Sequence, residues 1–217
     1  VARRRRTIEV PTLILERDFW RKGLALVAGI DEAGRGALAG PVVAAAVILP
    51  KKLDAKGILD SKLLSPKKRE EAYERIVSVA VAYAVAAEPP TQIDASNILR
   101  ATLTAMKSAF DALSPPAEAA LVDGNIPPHL DVPTRCAVEG DRLSLSIAAA
   151  SILAKVSRDR YMVEMAERFP DFTFAEHKGY ATQRHLAELD KFGPTPLHRL
   201  TFKPVYARAR GLLLPNG

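Results

Sequence analysis

Along the chain, short apolar runs alternate with longer stretches whose apolar residues recur every three or four positions, a pattern that predicts an α/β domain. Leu24-Ala25-Leu26-Val27-Ala28-Gly29-Ile30 is a continuous apolar run of strand length, and Val42-Val43-Ala44-Ala45-Ala46-Val47-Ile48-Leu49 is another. The short glycine-rich link between them suggests a hairpin. Ser65-Pro66 reads as an N-cap followed by proline at the first helical position, and Ala72, Tyr73, Ile76 and Val77 share one face of the helix that follows. Val79, Val81, Tyr83 and Val85 then alternate with alanine as far as Glu88-Pro89-Pro90, which predicts a third strand with one crowded face.

Residues 93–113 carry Ile98, Leu99, Leu103, Met106 and Phe110 at helical spacing, and Ser114-Pro115-Pro116 closes the helix. A short strand, Ala119-Ala120-Leu121-Val122, ends at Asp123, and another is expected over 134–138. An alanine-rich helix is expected from about 146 to 168, with Ile147, Ile152, Val156 and Met165 among its apolar residues. After Phe169-Pro170 the chain becomes more polar, with one helix expected over 183–191 before Gly193-Pro194. These shifts divide the chain into a basic N-terminal extension (1–22), a main domain (23–170) and a helical and loop region (171–217), with no internal repeat.

A length of 217 residues suits one well-formed core. The apolar runs all fall short of the roughly 20 residues that a membrane span requires, so no membrane association is expected. Arg3-Arg4-Arg5-Arg6 is followed by Thr7-Ile8-Glu9-Val10-Pro11, not by the apolar segment of a secretory signal, which favours a cytoplasmic location. The arginines themselves read as a solvated basic tail. The single cysteine, Cys136, lies in an apolar run and reads as a packing residue. A net charge of +6 permits a polyanionic partner without requiring one.

Four acids stand at strand ends or element junctions: Asp31 and Glu32 after the first strand, Asp123 after the fourth, and Asp141 before the long helix. In an α/β sheet such positions converge on one edge, where carboxylates repel unless they are protonated or share cations. Mg²⁺ or Mn²⁺ suits such oxygen ligands, and two ions about 3.5–4 Å apart can stabilise both the attacking and the leaving oxygen of a phosphodiester. The same acids could equally cap helices and end strands. Gly34-Arg35-Gly36-Ala37-Leu38-Ala39-Gly40 has nearly the glycine spacing of a dinucleotide-binding loop, but Pro41 leads into a strand where such a loop opens a helix. A loop whose backbone and Arg35 side chain can approach a nucleic-acid strand fits better, with a plain tight turn as the alternative.

These features occur together in order. Ile30-Asp31-Glu32-Ala33-Gly34-Arg35-Gly36, Asp60-Ser61-Lys62, Val122-Asp123-Gly124-Asn125, the Ser146–Val156 segment, Arg158-Asp159-Arg160 and His177-Lys178-Gly179-Tyr180 together strongly resemble ribonuclease HII, over about Gly29 to Val205. The resemblance implies an RNase H-like mixed β-sheet flanked by helices, with a C-terminal helical appendage that contributes to substrate binding. It implies Mg²⁺- or Mn²⁺-dependent cleavage on the 5′ side of a ribonucleotide in RNA–DNA hybrids or DNA duplexes, giving a 3′-hydroxyl and a 5′-phosphate. Ribonucleotide removal from the genome would follow as the role, with the protein expected to act as a monomer.

By the same resemblance, Asp31, Glu32, Asp123 and Asp141 are the four metal-binding carboxylates. Asp159, between two arginines inside a helical pattern, reads instead as part of a structural charge pair. Gly34, Arg35, Gly36 and Tyr180 are implied to sense a ribonucleotide followed by a deoxyribonucleotide, whose 2′-hydroxyl backbone groups can read. Ser61, Lys62 and Lys178 are implied phosphate contacts, although Leu63 stands where the family carries a second lysine. His177 could protonate a leaving oxygen or be structural, and His198 and Arg199 carry only a weak expectation of substrate contact. Two rivals, a non-catalytic basic nucleic-acid-binding module and a nucleotide-dependent enzyme using the glycine-rich loop, leave the ordered acids unexplained.

Overall fold

A computed structural model describes residues 10–54, 57–58, 61 and 64–211. The elements run α1 (Ile14–Trp20), β1 (Val27–Ala33), β2 (Val42–Ile48), α2 (Pro66–Val79), β3 (Ala82–Glu88), α3 (Pro90–Ala95), α4 (Ile98–Asp111), β4 (Ala119–Asp123) and β5 (Thr134–Ala137). A 3₁₀ turn, Gly140–Arg142, then leads to α5 (Leu145–Arg168), α6 (Phe174–His177), α7 (Gln183–Phe192) and α8 (Lys203–Gly211). The strands form one sheet in the order β3-β2-β1-β4-β5. β1, β2 and β3 pair antiparallel, while β1, β4 and β5 pair parallel, so the sheet is mixed and β1 is central.

Pairing register sorts the side chains. Asp31 lies opposite Ala45, which faces α2 and α5, while Glu32 lies opposite Ala44, which faces α4. The two acids therefore project to opposite faces of the strand, as the two-residue period of a strand requires. They stand within β1, not beyond its end as the apolar run alone suggests, because pairing with β2 continues through Glu32 and Ala33.

Small residues bring α5 close to the sheet. Ala148, Ala149, Ala150 and Ala154 are buried on it, and a Cβ on Gly29 of β1 would lie only 2.1 Å from the backbone carbon of Ser146. The helix backbone thus rests almost directly on the central strand. Its N-terminus is held by Ser144, whose hydroxyl caps Ile147 N at 3.1 Å, and by buried Glu16 of α1, which accepts from Ser144 Oγ at 2.6 Å and Ser146 N at 3.0 Å.

Three expectations need correction. The helix over 93–113 is two helices, broken where Asn97 caps α4 through Arg100 N at 2.9 Å. α1, α6 and α8 were not anticipated, being short or weakly periodic. β3 is an edge strand whose bulky residues are its exposed ones, Tyr83 at 41% and Val85 at 37%, while Ala84 and Ala86 pack toward α4. No helix among the described residues is long and apolar enough to cross a membrane.

The C-terminal region has its own small core. Phe172, Phe174, Leu189, Leu197 and Val205 pack with Met162 and Met165 at the far end of α5 and with Leu38 and Ala39 of the loop after β1. One helix, α5, thereby joins the sheet to this second cluster.

Candidate active site

β1 and β4 run parallel side by side, with Ile30 opposite Val122, so Asp31, Glu32 and Asp123 arrive at the same edge. All three line one cavity of about 300 Å³, together with Gly34, Arg35, Ser61, Arg69, Ser151, Lys155 and Tyr180. Burial pushes the Asp31 carboxyl well above the usual range, and the charges of Glu32 and Asp123 push it further. Hydrogen bonds from Ser151 and from Glu32 N, the latter 2.7 Å from Asp31 Oδ1, only partly oppose this. Glu32 is raised too, by burial first; Arg35, with Nη1 at 3.6 Å, counters that while Asp123 adds to it.

The fourth acid is placed differently. Asp141 is buried in the 3₁₀ turn before α5, and that turn is tied to Asp123 by Gly140 N donating to Asp123 Oδ1 at 2.7 Å. Its side chain does not line the cavity that the other three share. Among the described residues, no three His, Cys, Asp or Glu side chains are poised to close round one ion. Oxygen ligands in a repulsive, desolvated cluster nevertheless fit a hard divalent cation, which would relieve the strain that protonation otherwise relieves. Asp31 Oδ1 and Asp123 Oδ1 each accept from a backbone N–H group, which fixes the orientation of both carboxylates while leaving each further lone pairs.

Ser61 is buried, and its hydroxyl lies 3.0 Å from Ser151 Oγ, so it connects to Asp31 through Ser151. Lys62, Asp60, Leu63 and the Arg3–Arg6 run lie outside the described residues. Asp159 pairs with Lys155 at 2.6 Å, the intrahelical contact expected of it. Lys178 has a left-handed backbone (φ 51°) and its ammonium reaches Ala175 O. It borders a larger groove of about 810 Å³ that also touches Arg69, Lys155, Arg160 and Tyr180. Arg69, Lys155 and Tyr180 line both hollows, so the groove adjoins the acidic cavity at these three residues.

Tyr180 is half-buried, its ring centre 5.5 Å from Lys155 Nζ and 5.2 Å from Arg158 Cζ. Behind it lies a set of buried imidazoles. His185 Nδ1 donates to Tyr180 O at 2.9 Å, His185 Nε2 meets His198 Nε2 at 3.0 Å, and His198 Nδ1 accepts from Thr195 N at 2.9 Å. His177 accepts from Gly179 N at 3.0 Å and faces Glu188 at 3.0 Å. Burial lowers His185 to about 4 and His198 to about 3, so both are neutral near pH 7. His177 and His198 are thus built into the support of the loop and do not line the acidic cavity.

Sequence reasoning did not single out Ser151, Arg69, Lys155 or Arg158 as site residues. Ser151 and Arg158 carry a readable signal: 147, 151, 154, 158, 162 and 165 follow one buried stripe of α5, and these two are its polar members. Arg69 is fixed by two carbonyls of the preceding loop, Ser61 O at 3.1 Å and Leu64 O at 2.8 Å, and has no such periodic signature.

A mixed five-stranded sheet flanked by helices, with Asp31, Glu32 and Asp123 gathered where β1 and β4 run parallel, is an RNase H-like fold. A family model for ribonuclease HII matches residues 28–205. The ribonuclease HII of Halalkalibacterium halodurans is 52% identical over 198 residues, spanning 91% of this chain and 74% of that protein. That of Syntrophotalea carbinolica is 49% identical over 197 residues, spanning 91% and 94%. The chain belongs to the ribonuclease HII family, metal-dependent endoribonucleases of the type 2 ribonuclease H class. Among solved structures, ribonuclease H2 from Pyrococcus horikoshii shares the fold with a TM-score of 0.72 at 24% identity, over 87% of this chain and 99% of that one. Bst-RNase HIII in complex with Mn²⁺ does so at 0.64 and 19% identity, over 86% and 70%.

Proposed function

We propose that the protein hydrolyses the phosphodiester bond 5′ to a ribonucleotide, in RNA–DNA hybrids and in DNA duplexes with embedded ribonucleotides, leaving a 3′-hydroxyl and a 5′-phosphate. The observation that carries this reading is one cavity holding Asp31, Glu32 and Asp123 beside Gly34, Arg35 and Tyr180. Acids able to hold cations thus sit within reach of groups able to read a sugar.

Asp31, Glu32, Asp123 and, from the neighbouring turn, Asp141 would hold Mn²⁺ or Mg²⁺. Bound there, such ions supply activation of water and stabilisation of the departing oxygen. The remaining roles belong to the chain itself. Ser151, braced by Ser61, orients Asp31. The N–H groups of the Gly34-Arg35-Gly36 segment donate to the 2′-hydroxyl, and the Tyr180 ring packs on the adjacent deoxyribose. Lys178, Arg69 and Lys155 hold phosphates along the groove, and Lys62 keeps the phosphate contact that the sequence resemblance implies. The C-terminal region contributes to substrate binding through residues 175–182, which line the groove. The protein acts as a monomer in the cytoplasm and initiates removal of misplaced ribonucleotides.

The test is a labelled DNA duplex carrying one ribonucleotide, incubated with Mn²⁺, Mg²⁺ or EDTA. One cut on the 5′ side of the ribonucleotide, absent in EDTA and absent from the all-DNA duplex, is expected. Binding without incision, or equal incision of the all-DNA duplex, would refute the proposal.

A further inference from the structure

Arg158 and Arg199 are both fully buried, yet neither hydrogen-bonds or ion-pairs with a carboxylate among the described residues. A buried charge normally requires such a partner. Each guanidinium instead grips three carbonyl oxygens. Arg158, from α5, donates through Nε to Pro41 O at 3.0 Å, through Nη2 to Ala39 O at 2.9 Å and through Nη1 to Lys178 O at 2.9 Å. Arg199, from the segment between α7 and α8, donates through Nε to Gly40 O at 3.0 Å, through Nη1 to Arg35 O at 2.9 Å and through Nη2 to Gly34 O at 2.7 Å. Five of these six acceptors belong to the loop between β1 and β2, and the sixth precedes Gly179-Tyr180.

The loop is moulded to the arginines. Gly34 has φ +87°, and a Cβ there would sit 1.9 Å from Arg158 Nε; Gly179 has φ +81°, and a Cβ there would sit 2.4 Å from Ala39 O. Leu38 N and Ala39 N donate to Gly179 O at 2.8 and 3.3 Å, binding the two loops directly as well.

A trans peptide points its C=O and its N–H in opposite directions. The Gly34–Arg35 and Arg35–Gly36 peptides are trans. With both their carbonyls drawn inward to Arg199, the N–H groups of Arg35 and Gly36 must point outward. Those two N–H groups have no partner among the described residues, and both residues are exposed. The buried arginine therefore sets the direction of two donors that it never lets touch itself.

We propose that Arg199 and Arg158 are positioning residues for ribonucleotide recognition: Arg199 aims the Arg35 and Gly36 N–H groups at the sugar 2′-hydroxyl, and Arg158 fixes that loop against the one bearing Tyr180. The inference rests on the function proposed above and adds what holds its sensing groups in place. Lysine preserves the charge but lacks the planar fork that reaches three carbonyls at once.

The test compares wild type with Arg199→Lys and Arg158→Lys in single-turnover incision of two duplexes, one carrying a ribonucleotide and one a 2′-fluoro nucleotide at the same position. Partial loss of folded protein slows both reactions alike and cancels in the ratio of rates. The ratio is expected to fall about tenfold or more in Arg199→Lys and by a smaller factor in Arg158→Lys. Gly34→Ala, which keeps both arginines but drives the loop off Arg158, is expected to lower it too, and decides the matter alone if the lysine variants do not fold. Folded variants with the wild-type ratio would overturn this inference alone, whereas a wild type that does not cut at the ribonucleotide would overturn the functional proposal with it.

Discussion

At the acidic end of the cleft, Asp31 is buried and Glu32 half-buried beside Asp123, with their carboxyl pKa values raised, chiefly by burial and, for Asp31, next by the neighbouring carboxylates. Behind the loop between β1 and β2, Arg158 and Arg199 are fully buried, and each satisfies three N–H donors on carbonyls at 2.7–3.0 Å. Burial lowers Arg199 as well, to about 9, but it remains charged at pH 7. The recognition side is complete with protein atoms alone, whereas the acidic side is left with repulsion that a cation would relieve. On the function proposed above, preorganisation takes two forms in one site: a rigid frame for reading the sugar, and an electrostatic deficit for recruiting metal.

The sharpest way to separate the two sides is Asp31→Asn. Incision should fall by about 1000-fold, the scale of removing a group that acts on the transition state, while thermal stability rises because a buried, repelled charge is gone. Loss of activity together with loss of stability would mean that Asp31 is a structural partner instead.

Both sides are mounted on α5, through Ser151 and Arg158, and α5 meets β1 at Gly29. Gly29→Ala forces a methyl against the Ser146 backbone, which cannot yield as a side chain tip does. A loss of about 3 kcal/mol in urea denaturation is expected, with activity on every substrate falling in step. A stable, active variant would show that the close contact is not needed.

Acid should reach the recognition side through its imidazoles. His185 and His198, held to about 4 and about 3 in the fold, take up protons near 6.5 when unfolded. Their folded pKa values are depressed, so stability is full above about pH 6.5 and declines as pH falls toward 4, by about 1 kcal/mol per pH unit for each imidazole. Melts between pH 7 and 4.5 check this, and His198→Asn should flatten the slope. The smallest effect is expected for Asp159→Asn, which breaks the Lys155 pair: less than about 1 kcal/mol in stability and near-normal incision. Abolished incision there would move Asp159 into the metal site.

Much of this was legible in the chain. The hairpin, the Ser65-Pro66 helix start, the strand ending at Asp123 and the long alanine-rich helix follow from period, caps and breakers, which act locally. Asp31-Glu32 was visible as an acidic pair beside a glycine-rich turn, and its convergence with Asp123 followed from order along a parallel sheet. The placement of Asp141 away from the shared cavity depends on the 3₁₀ turn, and no periodicity announces it. Ser61 reads in the sequence as a phosphate contact, because its burial against Ser151 arises from packing 90 residues apart. Arg199 lies in an irregular segment, so nothing in its neighbours foretells that five carbonyls of a distant loop would close on it and Arg158. Tyr83 and Val85 misled in the other direction, because alternation marks a strand but not which face is covered.

The central claim is that the acids lie together because they share cations. Calorimetric titration of Mn²⁺ into wild type, Asp31→Asn and Arg199→Lys tests it most directly. Binding by wild type and Arg199→Lys with little or none by Asp31→Asn is predicted; equal binding by wild type and Asp31→Asn would contradict it.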